Sequence, residues 1–144
     1  PFNCDLILKD GKVYLIEING RAGATGLSDM VGIYYDLNYY EILCRQAMGE
    51  TTASAFQLKN SKGQPSVSRM LTAPKTGILE KIELPEEAED PDISITLNVQ
   101  PSDPVRTYQN GRDLLGLVIV KGDSVEVCKE KTNRILSGIQ YEIR

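Results

Sequence analysis

Glu17 and Asn19 stand two residues apart in the apolar run Val13-Tyr-Leu-Ile-Glu-Ile-Asn, with Arg21 two further on. On a β-strand that spacing puts a carboxylate and an amide on one face. A buried carboxylate needs a counter-charge, because an unpaired one costs roughly several kcal/mol. Two compensators are at hand, the Arg21 guanidinium and a metal ion. An ion pair between Glu17 and Arg21 would make the group structural. Asp5, in the preceding apolar run, brings in the second option.

Whether Asp5 can join Glu17 depends on the connection between the runs. Phe2–Leu8 and Lys12–Ile18 read as strands of a hairpin turning at Asp10-Gly11. A two-residue turn pairs Leu8 with Val13 and Asp5 with Ile16, which sends Asp5 to the face opposite Glu17. A three-residue Lys9-Asp10-Gly11 loop pairs Asp5 with Leu15 and puts Asp5 on the face of Glu17 and Asn19, diagonally across at about 7–8 Å. Three oxygen-bearing side chains so placed suit Mg²⁺, which takes hard oxygen ligands and keeps water or phosphate oxygens in its other positions. Zn²⁺ is a poor match without His or clustered Cys nearby. The metal reading therefore predicts an odd-length loop.

The positioning elements continue beyond the hairpin. Asn19–Gly32 reads as a loop rich in Gly20, Gly23, Gly26 and Gly32, ending in a helical turn near Leu27–Val31. Tyr40, Leu43, Cys44, Ala47 and Met48 recur at helical spacing and predict one buried helix face, closed by Gly49. Thr51–Ser66 is polar and carries Asn60, Gly63 and Pro65, the signature of an internal boundary. Strands follow at Ser68–Thr72, Ile78–Leu84, Ile93–Val99 and Leu114–Val120. Pro85–Asp92, with five acids and two prolines, reads as a solvated loop. Asp123-Ser-Val-Glu126 has the form of a capping box before a helix whose apolar face holds Val125, Cys128, Thr132, Ile135 and Leu136. Gly138 ends that helix and Ile139–Ile143 is a last strand. The order predicts an α+β fold with mainly antiparallel sheets.

The 144 residues contain no His, which excludes a Ser-His-Asp triad, a Cys-His nucleophile pair and any His-ligated metal. A net charge of −4, with no basic cluster, no Trp and two Phe, excludes nucleic acid as the expected partner. No apolar run approaches the roughly 18 residues that span a bilayer, so no membrane partner is expected. Three scattered Cys point to a reducing, cytoplasmic setting rather than a disulfide scaffold. Cys44 and Cys128, at apolar positions of helical patterns, read as small hydrophobes. The chain opens at Pro1 directly into an apolar run, and it reads as a piece of a longer protein.

The run Asp5-Leu-Ile-Leu-Lys-Asp-Gly-Lys-Val-Tyr-Leu-Ile-Glu17-Ile-Asn19-Gly-Arg21 resembles the C-terminal metal-binding hairpin of the ATP-grasp superfamily, in its biotin carboxylase, amino-acid ligase and carbamoyl phosphate synthase branches. Twelve positions from first acid to second, Asn at plus two and Arg at plus four carry the likeness. The first position is often Glu, so Asp5 is a tolerated variant. The resemblance implies that Asp5, Glu17 and Asn19 ligate Mg²⁺ (or Mn²⁺) on ATP phosphates, and that Arg21 stabilises charge on an acyl phosphate. It implies that 1–60 is the C-terminal part of an ATP-grasp domain and 61–144 a small C-terminal α+β domain. The groups that grip adenine and cover the phosphates would then lie upstream of Pro1.

The Gly20/Gly23/Gly26 loop is neither a dinucleotide fingerprint nor a Walker loop, because it lacks G-x-G and Gly-Lys-Ser/Thr. It reads either as a flexible connector or as backbone N–H groups facing an anionic substrate, with Gly23 and Gly26 as binding positions and Thr25 and Ser28 as hydroxyl donors beside them. Tyr34, Tyr35, Tyr39 and Tyr40 read as core and interface packing rather than a substrate box. The expected function is part of an ATP-dependent ligase that activates a small carboxylate for attack by an amine or thiol, inactive as this piece alone. Homodimer assembly is left open. The alternatives are a bicarbonate-activating enzyme and a non-catalytic nucleotide-binding scaffold.

Overall fold

The computed structural model describes residues 1–50, 52–56 and 63–144. The fold is α+β, as the sequence predicts. Strands β1 (Asn3–Lys9) and β2 (Lys12–Asn19) form an antiparallel hairpin. Helices α1 (Leu27–Tyr35) and α2 (Tyr39–Ala47) follow. Then come β3 (Ser66–Thr72), β4 (Gly77–Glu83), β5 (Ile93–Leu97), the short β6 (Pro104–Val105), β7 (Leu114–Lys121), α3 (Val125–Gly138) and β8 (Gln140–Ile143).

These later strands make two three-stranded sheets, β3-β7-β5 and β6-β4-β8, antiparallel throughout. The final β-α-β run therefore joins two sheets and is not a parallel crossover. Central strand β7 is buried along most of its length, with Leu115, Val118, Ile119 and Val120 all inside. Gly116 is required there: a Cβ would lie 2.1 Å from the Thr96 carbonyl oxygen of β5. Helix α3 packs Cys128, Thr132 and Ile135 against β3 and β7. The core cluster runs from Val67 to Ile143 and takes nothing from the hairpin.

Several expectations need correction. Helix α1 is a full helix to Tyr35 rather than a turn to Val31, and it ends where Asp36 takes the left-handed conformation at φ 52°. Gly32, read as loop, is inside it, and glycine suits the position because a Cβ there would lie 2.9 Å from the Leu37 carbonyl oxygen. The α2 stripe expected to be buried is not: Tyr40, Cys44, Ala47 and Met48 are exposed, Leu43 is half-buried, and Ile42 is the buried residue. The periodicity is real, but no described element covers that face.

The α3 cap is Ser124, whose hydroxyl accepts from the Val127 N–H at 3.2 Å, so the capping box starting at Asp123 does not form. The acidic loop is not wholly solvated either. It includes a 3₁₀ turn at Glu86–Glu89, and Asp90 and Asp92 reach Lys131 at 2.9 and 3.8 Å. An N–H bond from Asp92 and the Lys131 ammonium hold the Asp90 carboxyl below the usual range. The expected boundary within Thr51–Ser66, with its division at residue 60, falls largely outside the described residues.

Candidate functional site

The hairpin turn is Asp10-Gly11, both residues left-handed at φ 51° and 71°, the two-residue type I′ geometry that matches strand twist. Leu8 pairs with Val13 and Lys9 with Lys12, so the odd-length loop expected from the metal reading is not present. A straight ladder from this turn would put Asp5 opposite Ile16. Instead the register shifts between Asp5 and Leu6, leaving Ile16 as an extra residue on β2. Beyond this bulge Asp5 stands directly opposite Glu17, and Asn3 opposite Asn19. Neither alternative weighed from the sequence included it, yet the outcome is closer than both: Asp5 and Glu17 share a face as direct neighbours.

Like charges directly opposite one another are destabilising in a sheet. Among the described residues neither carboxylate has an ion-pair partner. The Glu17–Arg21 ion pair does not form; Arg21 Nη1 donates to the Ala22 carbonyl at 2.9 Å. Asp5 accepts one hydrogen bond, from Asn3 Nδ2 at 3.1 Å. The face therefore carries two carboxylates and two amides, Asn3 and Asn19, with no bound cationic side chain. Those hard oxygen donors fit a divalent cation of the Mg²⁺ type, with Asp5, Glu17 and Asn19 as the residues that could hold it. No group of three or more His, Cys, Asp or Glu able to hold a metal occurs among the described residues, so ligands beyond this face would have to come from elsewhere.

The glycine loop is anchored in its second half. The Ser28 hydroxyl, expected to donate to an anion, is buried and donates to the Gly23 carbonyl at 3.1 Å. It shapes the loop instead. The Thr25 carbonyl accepts from Ser68 Oγ at 3.1 Å, and Thr25 itself is left-handed at φ 53°. Gly26, at φ 81°, lies so close to β3 and β7 that a Cβ would meet Ser68 Oγ at 2.7 Å and Leu117 Cδ2 at 2.8 Å. From Gly23 to Ser28 the loop is thus pinned against β3 and β7 rather than running free. The anchoring by Ser68, 43 residues on in the chain, had no local signal in the sequence. Asn3 did have one: it stands two before Asp5 as Asn19 stands two after Glu17.

A cleft of about 1100 Å³ opens between the α1–α2 corner and the end of β7, but its walls include none of Asp5, Glu17, Asn19 or Arg21. Tyr34, Tyr35, Tyr39 and Phe56 pack edge-to-face beside it, as the packing reading of the tyrosines expects. Tyr40 instead donates to Asp29 at 3.0 Å, and partial burial together with that carboxylate pushes its phenol up.

The chain is a C-terminal part of the ATP-grasp superfamily, as its family match and its likeness to solved structures show. The family model for L-amino acid ligase C-terminal domain 2 matches residues 69–144, and the chain belongs to that family. Among solved structures it is similar to phosphoribosylglycinamide synthetase from Anaerococcus prevotii, at 34% identity and TM-score 0.88, covering 99% of this chain and 37% of that one. L-amino acid ligase from Bacillus licheniformis shares the fold at 18% identity and TM-score 0.81, over 99% and 36% of the two chains. So does the biotin carboxylase domain of Hydrogenobacter thermophilus 2-oxoglutarate carboxylase, a structure holding MgADP and bicarbonate, at 19% identity and TM-score 0.69, over 99% and 31%. The chain thus spans about a third of the length of these structures. No curated protein sequence matches it. Among the described residues, no helix is long and apolar enough to cross a membrane.

Proposed function

We propose that this chain supplies one half of the active site of an ATP-dependent ligase that activates a small carboxylate as an acyl phosphate for attack by an amine or thiol. The observation that carries the reading is Asp5 set opposite Glu17 with no cationic side chain bound to either. A Mg²⁺ or Mn²⁺ ion there would neutralise phosphate oxygens during transfer of the γ-phosphoryl group. Asp5, Glu17 and Asn19 would hold it. Arg21, exposed at the strand end, would place its guanidinium against the charge of the acyl phosphate. Gly23, Thr25 and Gly26 would present backbone N–H groups to the anionic substrate from a loop whose shape Ser28 and Ser68 maintain.

In this reading 1–60 completes an ATP-grasp domain and 61–144 is a second unit behind it. An amine as acceptor is favoured over bicarbonate activation because the matching family is that of an amino acid ligase. Glu17→Gln tests the assignment. Carboxylate-dependent ATP turnover by the intact protein should fall at least about a hundredfold, the rate equivalent of several kcal/mol of charge stabilisation. Thermal stability should stay within about 1 kcal/mol. Unchanged turnover would make Glu17 structural and remove the shared metal from the reading, whereas no carboxylate-dependent turnover in the unaltered protein would favour the scaffold alternative. Residues 1–144 alone should bind MgATP no tighter than about 1 mM by calorimetry, because two carboxylates and an amide replace few of the waters Mg²⁺ gives up reluctantly. Micromolar binding would refute the half-site argument.

A further inference from the structure

We propose that Asn3 is a positioning residue for the metal-holding face, fixing the Asp5 carboxylate so that its free oxygen is available to the cation; the inference rests on the ligase reading above. The bulge at Ile16 sets Asn3 against Asn19 and Asp5 against Glu17, a two-by-two array with amides in one row and carboxylates in the other. Within it the members are not equivalent. Asn3 and Asn19 are half-buried, whereas Asp5 and Glu17 are exposed. Asn3 Nδ2 donates to Asp5 Oδ1 at 3.1 Å.

The terminal torsion of an Asp side chain has broad, shallow preferences, so an exposed carboxylate rotates unless something holds it. One donor on one oxygen fixes that rotation and leaves the second oxygen unencumbered. The same bond draws charge toward the amide and eases the repulsion from Glu17 opposite. The residue type matters. Lysine at this position would neutralise Asp5 and compete with a metal, and aspartate would add charge without a donor. Asparagine donates without changing the charge of the face. Residues that orient a ligand in this way typically contribute 10–100-fold to metal affinity.

The test is Mn²⁺ titration of the intact protein with ADP, followed by the electron paramagnetic resonance signal of free Mn²⁺, with thermal unfolding measured alongside. Asn3→Leu, close in shape and without a donor, should weaken Mn²⁺ binding about tenfold with an unchanged unfolding temperature. Asn3→Gln keeps the N–H₂ donor and should recover part of that loss. Should Asn3→Leu fail to fold, Asn3→Ala serves in its place. If Mn²⁺ binds these variants as tightly as the unaltered protein while Glu17→Gln loses it, the inference falls and the ligase reading stands. If Glu17→Gln also leaves Mn²⁺ binding unchanged, both fall. A loss of affinity that tracks a fall in unfolding temperature and is not relieved by Gln would make Asn3 merely structural.

Discussion

Leu6 and Leu79 are both strand leucines, yet Leu6 is 56% exposed and Leu79 is 0% exposed. The contrast extends to their surroundings. Around Leu79 lie two antiparallel sheets and α3, whose apolar side chains cover one another from Val67 to Ile143. Around Leu6, both faces of a two-stranded hairpin are open: Ile7, Leu8, Val13, Leu15, Ile16 and Ile18 are all more than half exposed. A lone hairpin is marginal by its own contacts. The sheets hold the chain together, and the hairpin carries the side chains proposed to hold the metal. Substitutions in the two regions should therefore read out in different assays.

That separation can be broken in several ways. The largest stability effect should come from Leu79→Ala, which leaves a cavity among fully buried neighbours and should cost about 2–5 kcal/mol in denaturant unfolding. Leu6→Ala in residues 1–144 should change stability by no more than about 0.5 kcal/mol. Equal costs would mean that the hairpin shares the core after all. Gly116→Ala comes next. Its methyl group would meet the β5 backbone at Thr96, with a cost of about 1–3 kcal/mol and a separation of β5 from β7 visible in amide exchange.

Ser124→Ala removes the hydroxyl that caps α3 and should cost about 1 kcal/mol. Asp123→Ala should cost less, since Asp123 is not the cap. The smallest effect is confined to acid. The guanidinium of Arg106 beside Asp113, with N–H bonds from Gln109 and Asn110, holds the Asp113 carboxyl below its ordinary value of 3.8. Its folded form thus loses a proton more readily than the unfolded one. The stabilisation is complete above that ordinary value and disappears as pH falls through the depressed one. The unfolding temperature should drop below about pH 4, and less steeply for Asp113→Asn.

The sequence was most legible where the signal is local. Asp10-Gly11 marks the place of the turn, and β3, β4, β5, β7 and β8 lie within about two residues of their expected bounds because their apolar runs are short and bounded, whereas the two-residue β6 has no such run and is not expected from the sequence. The register was not legible. A bulge at Ile16 has no signature in residue type, and it decides whether Asp5 meets Glu17 or turns away. The α2 stripe shows the opposite failure: its period was correct, but periodicity cannot tell whether a covering partner lies within these residues. Asn3 mirrors Asn19 in its spacing from the nearer acid, but only the register sets it opposite Asn19 on the face of Asp5. The contact of Ser68 with Thr25 spans 43 residues, which no short window of sequence contains.

The claim on which the functional account rests is that Asp5 and Glu17 hold one divalent cation between them. Anomalous diffraction from the intact protein crystallised with ADP and Mn²⁺ measures this directly. The account predicts a Mn²⁺ peak on the shared face of the hairpin, within about 2.0–2.6 Å of both carboxylates, with Asn19 completing the protein ligands. Mn²⁺ bound to ADP away from both carboxylates, with Asp5 and Glu17 facing only solvent, would contradict it.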